Sequence, residues 1–454
     1  MSASNGGRHV VIVGGGFAGL GCAHRLADDD DTRVTLIDRN NYHQFQPLLY
    51  QVATSMLGAG DVASSLREVF AGRKNVDIKL AEIASVDTKT KTVKSTDGEE
   101  WTADALVLAA GSQPNFFHTP GAAEHAFPLY SLDDALSLQV RILSLLEQVD
   151  RDPKLIDRGA LNFVIVGGGP TGVEVTGAIA DMINITVPDE YLGFDATAAH
   201  VCLLDYGDEL LKPFSDKAHG YVAKALTDRH VELRLGTGVK EVGSGHALLS
   251  DGAVIATRCV IWGGGIKAAS LAANCGLAQG HGGRIDAQHD LTLADSPGVY
   301  VVGDFANIAG ADGKPLPQLG SVAQQTGRWA ADNILADFKG KPHKDFVYKD
   351  KGIMAMIGRG AAIAELGKHH HEVHGRLAHI AWLGVHASLM TGGREKIEAL
   401  IDWGWDRFTK TGGGPQVIAS GHAADIDWDD DPTIASAGVP PARANDRQPT
   451  QAAR

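Results

Sequence analysis

Two glycine-rich stretches carry the chemistry-bearing pattern of this chain. Gly14-x-Gly16-x-x-Gly19 and Gly167-x-Gly169-x-x-Gly172 each follow an apolar run and open a segment of small residues. In such a loop the first glycine makes the tight turn, and the second lets backbone approach a pyrophosphate. The third lets helix and strand pack closely, while the helix N-terminus offers N–H groups to the anion. Asp38 ends the apolar run after the first loop and Asp205 the one after the second, both placed for ribose hydroxyls. Two loops mean two nucleotides, between which a hydride can pass. After Asp205 come Tyr206, Gly207 and Asp208, with no cation for a 2′-phosphate, which points to NADH over NADPH. Asp304 ends a further apolar run, VYVVGD, where ligands of a doubly wound sheet bind; a cap or turn residue is the plain alternative. Only the second loop leads into a carboxylate, Glu174. A charge stabilising a helix N-terminus is one reading of it. The other is a group that orients a nicotinamide or relays protons.

These residues need strands and helices to hold them. HVVIV (9–13), VTLID (34–38), NFVIV (162–166) and VCLLD (201–205) read as buried parallel strands. A helix is predicted over 172–185 and another over about 320–337. Residues 76–101 and 233–252 alternate and contain DG turns, which predicts antiparallel strands in both units. ALVLAAGS (105–112) and CVIWGGGI (259–266) close the two units, so the order of elements repeats. Short strands are expected over 346–367, and 419–454 lacks periodicity and reads as disordered. The fold class is α/β, with two doubly wound Rossmann-like domains.

The chain of 454 residues is long enough for two or three domains, and its net charge of −14 argues against a nucleic-acid partner. Cys22, Cys202, Cys259 and Cys275 are far apart, so neither a disulfide framework nor a zinc ribbon is expected. The run HHHEVH (369–374) reads as an exposed basic loop, and no metal is expected. No leader is seen and no apolar run is long enough to span a bilayer, which predicts a cytoplasmic chain.

The order GGGFAG, LVLAAGS, GGGPTGVE, VIWGGG and VYVVGD resembles the two-dinucleotide flavoprotein disulfide reductase superfamily. NNYHQFQPLLYQVAT (40–54), GSQPNFFHTPGAAEHA (111–126) and YKDKGIMAMIGRGAA (348–362) are similar to the type II, single-subunit NADH:quinone oxidoreductases, over about residues 8–410. The resemblance implies tightly bound FAD on Gly14, Gly15, Gly16, Phe17, Ala18, Gly19, Asp38 and Arg39, with Gly111 nearby and Asp304 on the ribityl chain. Pro47, Leu48, Leu49 and Tyr50 would lie along the flavin ring. NADH, as co-substrate, would use Gly167, Gly169, Gly172, Asp205 and Gly265, with Glu174 near flavin and nicotinamide. The implied domains are an FAD domain (1–120 and 290–345) interrupted by an NAD domain (121–289), then a C-terminal membrane-associating region (346–418). Cys22 stands alone and no cysteine follows Cys275, which leaves the flavin as the redox centre.

The family's Ala-Gln-x-Ala-x-Gln quinone run appears here as Gly320-Ser321-Val322-Ala323-Gln324-Gln325, with Gly-Ser replacing the first Ala-Gln. The quinone region implied is Ser321, Ala323, Gln324 and Gln325, with Gln325 and Glu174 as the catalytic pair; solvated helix surface is the alternative for both glutamines. The expected reaction is NADH oxidation with two-electron transfer to a membrane quinone, without proton pumping. A quinone needs a route to the bilayer. LAHIAWLGVHASLM (377–390) suits an interface, and Ile397, Leu400, Ile401, Gly404, Trp405 and Phe408 share one helical face. Lys368, the adjoining histidines, Arg376, Arg394 and Lys396 could meet anionic headgroups. The expectation is peripheral, monotopic attachment at the cytoplasmic face of the cell membrane, with the bilayer surface as partner and a homodimer as the second arrangement. The competing class is a soluble NADH-dependent reductase of a ferredoxin- or rubredoxin-like partner, or a redox-sensing flavoprotein, neither of which needs those helices.

Overall fold

Val10, Val11 and Ile12 are inaccessible to solvent, as a continuous apolar run inside a two-sided sheet requires. The structure is a computed structural model and describes residues 7–367 and 370–409, together with Val417, Ile418, Ile426 and Trp428. In it, β1 (Arg8–Val13) leads through α1 (Phe17–Leu26) to β2 (Thr32–Asp38). After the short α2 (Leu49–Ala53) come β3 (Val76–Leu80) and β4 (Ala105–Leu108). The second unit holds β5 (Ala126–Pro128), α3 (Leu132–Arg151), β6 (Asn162–Val166) and α4 (Pro170–Asp181). It continues with β7 (His200–Asp205), β8 (Glu232–Leu235) and β9 (Cys259–Trp262). Then β10 (Val299–Val301) and α5 (Gly320–Phe338) return to the first unit. A three-stranded antiparallel sheet, β11 (Gly352–Gly358), β12 (Ala361–Leu366) and β13 (His371–His374), precedes α6 (Arg376–Leu389) and α7 (Gly393–Phe408).

The two parallel sheets have matching orders, β10-β4-β1-β2-β3 and β5-β9-β6-β7-β8. Their registers correspond too: Val10 pairs Val34 and Ala105, while Val164 pairs Cys202 and Val260. Two expectations need correction. Val76–Leu80 and Glu232–Leu235 join the parallel sheets as edge strands; only the strands that follow, over 83–102 and 239–256, are antiparallel. Alternation of period two reports a half-buried strand but not the direction of its neighbour. The chain also re-enters the first core earlier than residue 290. Ala268, Leu271, Ala272 and Ile285 all pack there, just after the antiparallel pair of Ser112–Pro114 with Ile266–Ala268.

Helix α4 starts at Pro170 and its last turn widens into a π-turn at Met182–Thr186. The tail expected to be disordered lies outside the described residues apart from two positions. Ile426 is buried in the core shared with the second unit, and the Trp428 indole donates to Gln148 Oε1 at 2.6 Å with Arg258 over its ring. Lys368 and His369, and the side chain of Phe408, also lie outside what is described.

The first unit is tied together by helices in backbone contact. A β-carbon on Gly327 of α5 would sit 1.9 Å from the Ala18 carbonyl oxygen of α1. Replacing Gly327 with alanine should force the helices apart, at a cost of about 1–3 kcal/mol. The expected result is a lower midpoint in thermal unfolding; an unchanged midpoint would mean the helices do not need this contact.

Candidate active site

The two glycine loops match contact for contact. Gly14 has φ +107 and Gly167 φ +109, and a β-carbon on either would strike the chain crossing beneath, at Ala109 O (2.2 Å) or Gly263 O (2.5 Å). A β-carbon on Gly19 would lie 1.8 Å from Gly14 O, and one on Gly172 1.7 Å from Gly167 O. At Gly16 and Gly169 it would meet nothing within 4 Å, which leaves the approach to each loop open. The acids correspond as well. Asp38 accepts from the Gly15 and Asn40 amides at 2.5 and 2.7 Å. Asp205 accepts from the Gly168 and Gly207 amides. Burial raises the Asp38 carboxyl, against the pull of those N–H bonds. Arg39, next to it, is exposed.

Asp304 arrives at the first loop from the other end of the sheet. A β-carbon on Gly303 (φ +65) would lie 2.8 Å from Ala18 Cβ and 3.5 Å from Ala323 Cβ, so the loop helix, the acid-bearing turn and α5 converge. Ser112 Oγ donates to Asp304 Oδ2 at 3.1 Å and shares a hydrogen bond with Tyr130 OH. Burial raises the Asp304 carboxyl, which Ser112 and Arg284 oppose. Gly111 lies near Tyr130 with φ +71, and Gly265, with φ +141, lies against the ring of Phe117.

Pro47 and Leu48 form a single turn that runs into α2, and Leu48, Leu49 and Tyr50 are buried. Helix α2 faces α4, and between them lies a cavity of about 280 Å³. Its wall includes Tyr50, Gln51, Glu174, Met356 and Trp403, and reaches the surface at Ile380 on α6. Glu174 is buried, and its Oε1 accepts from the Met356 N–H at 3.1 Å. Burial pushes its carboxyl up to about 8, against the Met356 N–H and the neighbouring Trp382 indole. Gln51 ties the wall together: its Nε2 donates to Tyr50 OH at 2.9 Å, and its Oε1 accepts from the Trp403 indole at 2.8 Å. Asp181, also on the wall, is held by Arg229 Nε at 3.0 Å and the Arg359 amide.

The expected quinone-region residues lie elsewhere. None of Ser321, Ala323, Gln324 and Gln325 lines the Glu174 cavity. Gln325 is clamped to the Lys349 backbone, donating to its carbonyl at 3.1 Å and accepting from its amide at 3.0 Å. Ser321 Oγ hydrogen-bonds Tyr348 OH at 2.9 Å, Ala323 is buried, and Gln324 borders Gly21 of α1. Sequence reasoning passed over Gln51, Met356 and Trp403 as parts of the Glu174 wall, and Trp382 packed behind it. The one signal for them was that the motifs around Tyr50 and Met356 were both distinctive.

Cys22, Cys202 and Cys259 are buried, and burial pushes the Cys202 and Cys259 thiols up to about 12, so they are unreactive. Among the described residues, the three potential metal ligands that gather are Glu209, Asp216 and His219, two of them exposed, and none comes from the histidine run.

Residues 8–327 match the pyridine nucleotide-disulphide oxidoreductase family. The chain is 35% identical over 413 residues to the type II NADH:quinone oxidoreductase Ndh of Mycobacterium tuberculosis, covering 87% of each chain. It is 36% identical over 417 residues to NdhA of the same organism, covering 88% of this chain and 87% of that one. The structure of NDH2 from Plasmodium falciparum in complex with NADH has the same fold, with a TM-score of 0.82 at 19% identity, covering 90% of this chain and 99% of that one. Two matching nucleotide loops, a buried carboxylate beside them and this extent of likeness agree: the chain belongs to the pyridine nucleotide-disulphide oxidoreductase family and, within it, to the type II NADH:quinone oxidoreductases.

Proposed function

We propose that the chain oxidises NADH and reduces a quinone, using FAD held by the first loop. The observation that carries this reading is the pair of matching loops beside a buried Glu174 on an apolar cavity. FAD fits the first loop. His43 donates from Nδ1 to Gly15 O at 3.0 Å, which leaves its buried Nε2 without a partner, and Gln46 Oε1 is buried and unpartnered beside it. Burial lowers the His43 imidazole, so it stays neutral and Nε2 can accept from a hydroxyl. FAD bound there supplies hydride acceptance and two-electron return.

The second loop binds NADH. Both Asp205 carboxylate oxygens already hold loop amides, and Tyr206 and Asp208 beside it add no cation for a 2′-phosphate. Glu174 serves the acceptor. Its Oε1 is engaged by Met356, so Oε2 carries the proton that a reduced quinone needs. The quinone comes from the bilayer. Ile380 lines the cavity yet is 65% exposed, and it lies on a helix whose outer face is apolar. Among the described residues no helix is long and apolar enough to cross a membrane, so attachment is peripheral, through α6 and α7. Gln325 and Ser321 act as positioning residues for the 348–349 segment, through the bonds that hold it to α5.

The loops can be separated by mutation. Gly172→Ala should leave the yellow cofactor bound but abolish its bleaching by NADH, while Gly19→Ala should lose the cofactor itself. Retention of NADH bleaching in Gly172→Ala would remove the second loop from the reaction.

The Glu174 role predicts a pH profile. The carboxyl is protonated below its raised value of about 8, so quinone reduction holds at neutral pH and falls as pH rises through about 8. Glu174→Gln keeps an acceptor for Met356 but has no proton to give. Turnover should drop about 100-fold, the alkaline limb should vanish, and the flavin spectrum should stay. Wild-type turnover with the same profile would rule out this role.

A further inference from the structure

Helices α6 and α7 each carry an outer apolar face. Leu377, Ile380 and Leu389 on α6 are 72%, 65% and 40% exposed, and Ile397, Leu400, Ile401 and Trp405 on α7 are 52–61% exposed. A patch of this kind marks an interaction surface. Its border on α7 was expected to be basic, to meet anionic headgroups. Among the described side chains the carboxylates outnumber the cations. Arg394 pairs with Glu398 at 2.7 Å, so those two charges offset each other, and Lys396, with Nζ on the Ser388 carbonyl, keeps its own. Glu395, Glu398 and Asp402 run along the border of the apolar face, and Asp61 of the turn Ala59–Val62 faces them from the neighbouring element. Glu68 adds a further carboxylate near Arg394.

Resting on the lipid-facing reading above, we propose that this face seats on an electroneutral, zwitterionic bilayer surface by apolar insertion, and that Asp61, Glu395 and Asp402, beside the Arg394–Glu398 pair, oppose seating on anionic lipid. Two observations favour a bilayer over a second copy of the chain. The cavity reaches the surface at Ile380, in the middle of the patch, so a protein seated there would close the route of a lipid-soluble ligand. A second copy would also bring an identical acidic border to the same contact.

The row responds to pH. Burial raises the Asp61 carboxyl, and Glu398 and Glu395 raise it further; burial raises Asp402, and Asp61 and Glu398 add to it. Both therefore protonate at a higher pH than a free aspartate, and approach to a membrane, which desolvates them more, acts in the same direction. Acidification removes charge from the border and strengthens the seat. Each carboxylate near an anionic surface costs up to about fivefold in partition, falling with salt.

The test is flotation of the purified full-length holoprotein with vesicles, in chelator and at low salt. One set is phosphatidylcholine alone and the other contains phosphatidylglycerol. At neutral pH the protein should partition several-fold more tightly on the first set. The gap should close on adding salt and narrow as the pH is lowered, because Asp61 and Asp402 protonate first. Asp61→Asn with Asp402→Asn should narrow the gap and leave partition on phosphatidylcholine unchanged. Equal or tighter seating of the wild type on the anionic set would overturn the proposal. Failure to float with either set would instead overturn the lipid-facing reading on which it rests.

Discussion

Gly177 lets α4 lie directly on β11: a β-carbon there would stand 1.8 Å from the Ile357 carbonyl oxygen. That backbone-to-backbone approach is what the candidate site depends on. It sets the Met356 N–H, one residue before Ile357, against the carboxyl of Glu174, one turn before Gly177. It also places the β11–β12 sheet, and with it α6, as the roof of the cavity. A carboxyl held there has lost most of its contact with water and gained one backbone donor, and burial raises it to about 8. The acid is therefore a product of how two elements far apart in the chain meet, rather than of its place at a helix start. The capping explanation fails on geometry, because Glu174 is buried and faces β11 and not the open N-terminus of α4.

The same device recurs at each junction that places a ligand loop. Gly19 on Gly14 and Gly172 on Gly167 close the two loops, and Gly327 on Ala18 brings α5 to the first of them. Small residues are the condition for helices to reach the strand ends, where their N-termini can serve an anion. The acids Asp38 and Asp205 fit this view: before any ribose arrives, each already organises its loop by accepting two amide protons.

What could be read in the sequence was local. The loops, the strand-ending acids and the repeated order of elements each lie within a short window, and all are where expected. The direction of β3 and β8 was not legible, because edge strands with one wet face alternate alike in parallel and antiparallel pairs. The return to the first core at Ala268 was hidden too, since 268–290 forms only short pieces, and the strand that makes the return pairs with Ser112–Pro114, far back in the chain. Within the site, Glu174 stood out by its spacing from the second loop, but Gln51, Trp382 and Trp403 did not. Their importance lies in the contacts Gln51–Trp403 and Tyr50–Trp382, each across more than 300 residues (352 for the first), which no periodicity carries. Gln325 shows the other side: its type suggested a ligand contact, and its amide also holds the Lys349 backbone, with one bond given and one accepted, which no local pattern indicated.

The C-terminal helices show why an exposed apolar face can persist beside a rigid site. On the inner side of α6, Trp382 is wholly buried, stacks on His386 at 3.8 Å and meets Tyr50 and Trp403 edge-on. Burial lowers the His386 imidazole to about 4, so it stays neutral, and its Nδ1–H donates to the Trp382 carbonyl. Trp403 is likewise anchored, through Gln51. The helices are thus held by their inner aromatic face, and Leu377, Ile380, Ile397 and Ile401 on the outer side lie outside the packed core. A helix apolar on both sides is normally buried on both. Here only one side is covered by the described residues, and the cavity that carries Glu174 reaches the uncovered side at Ile380.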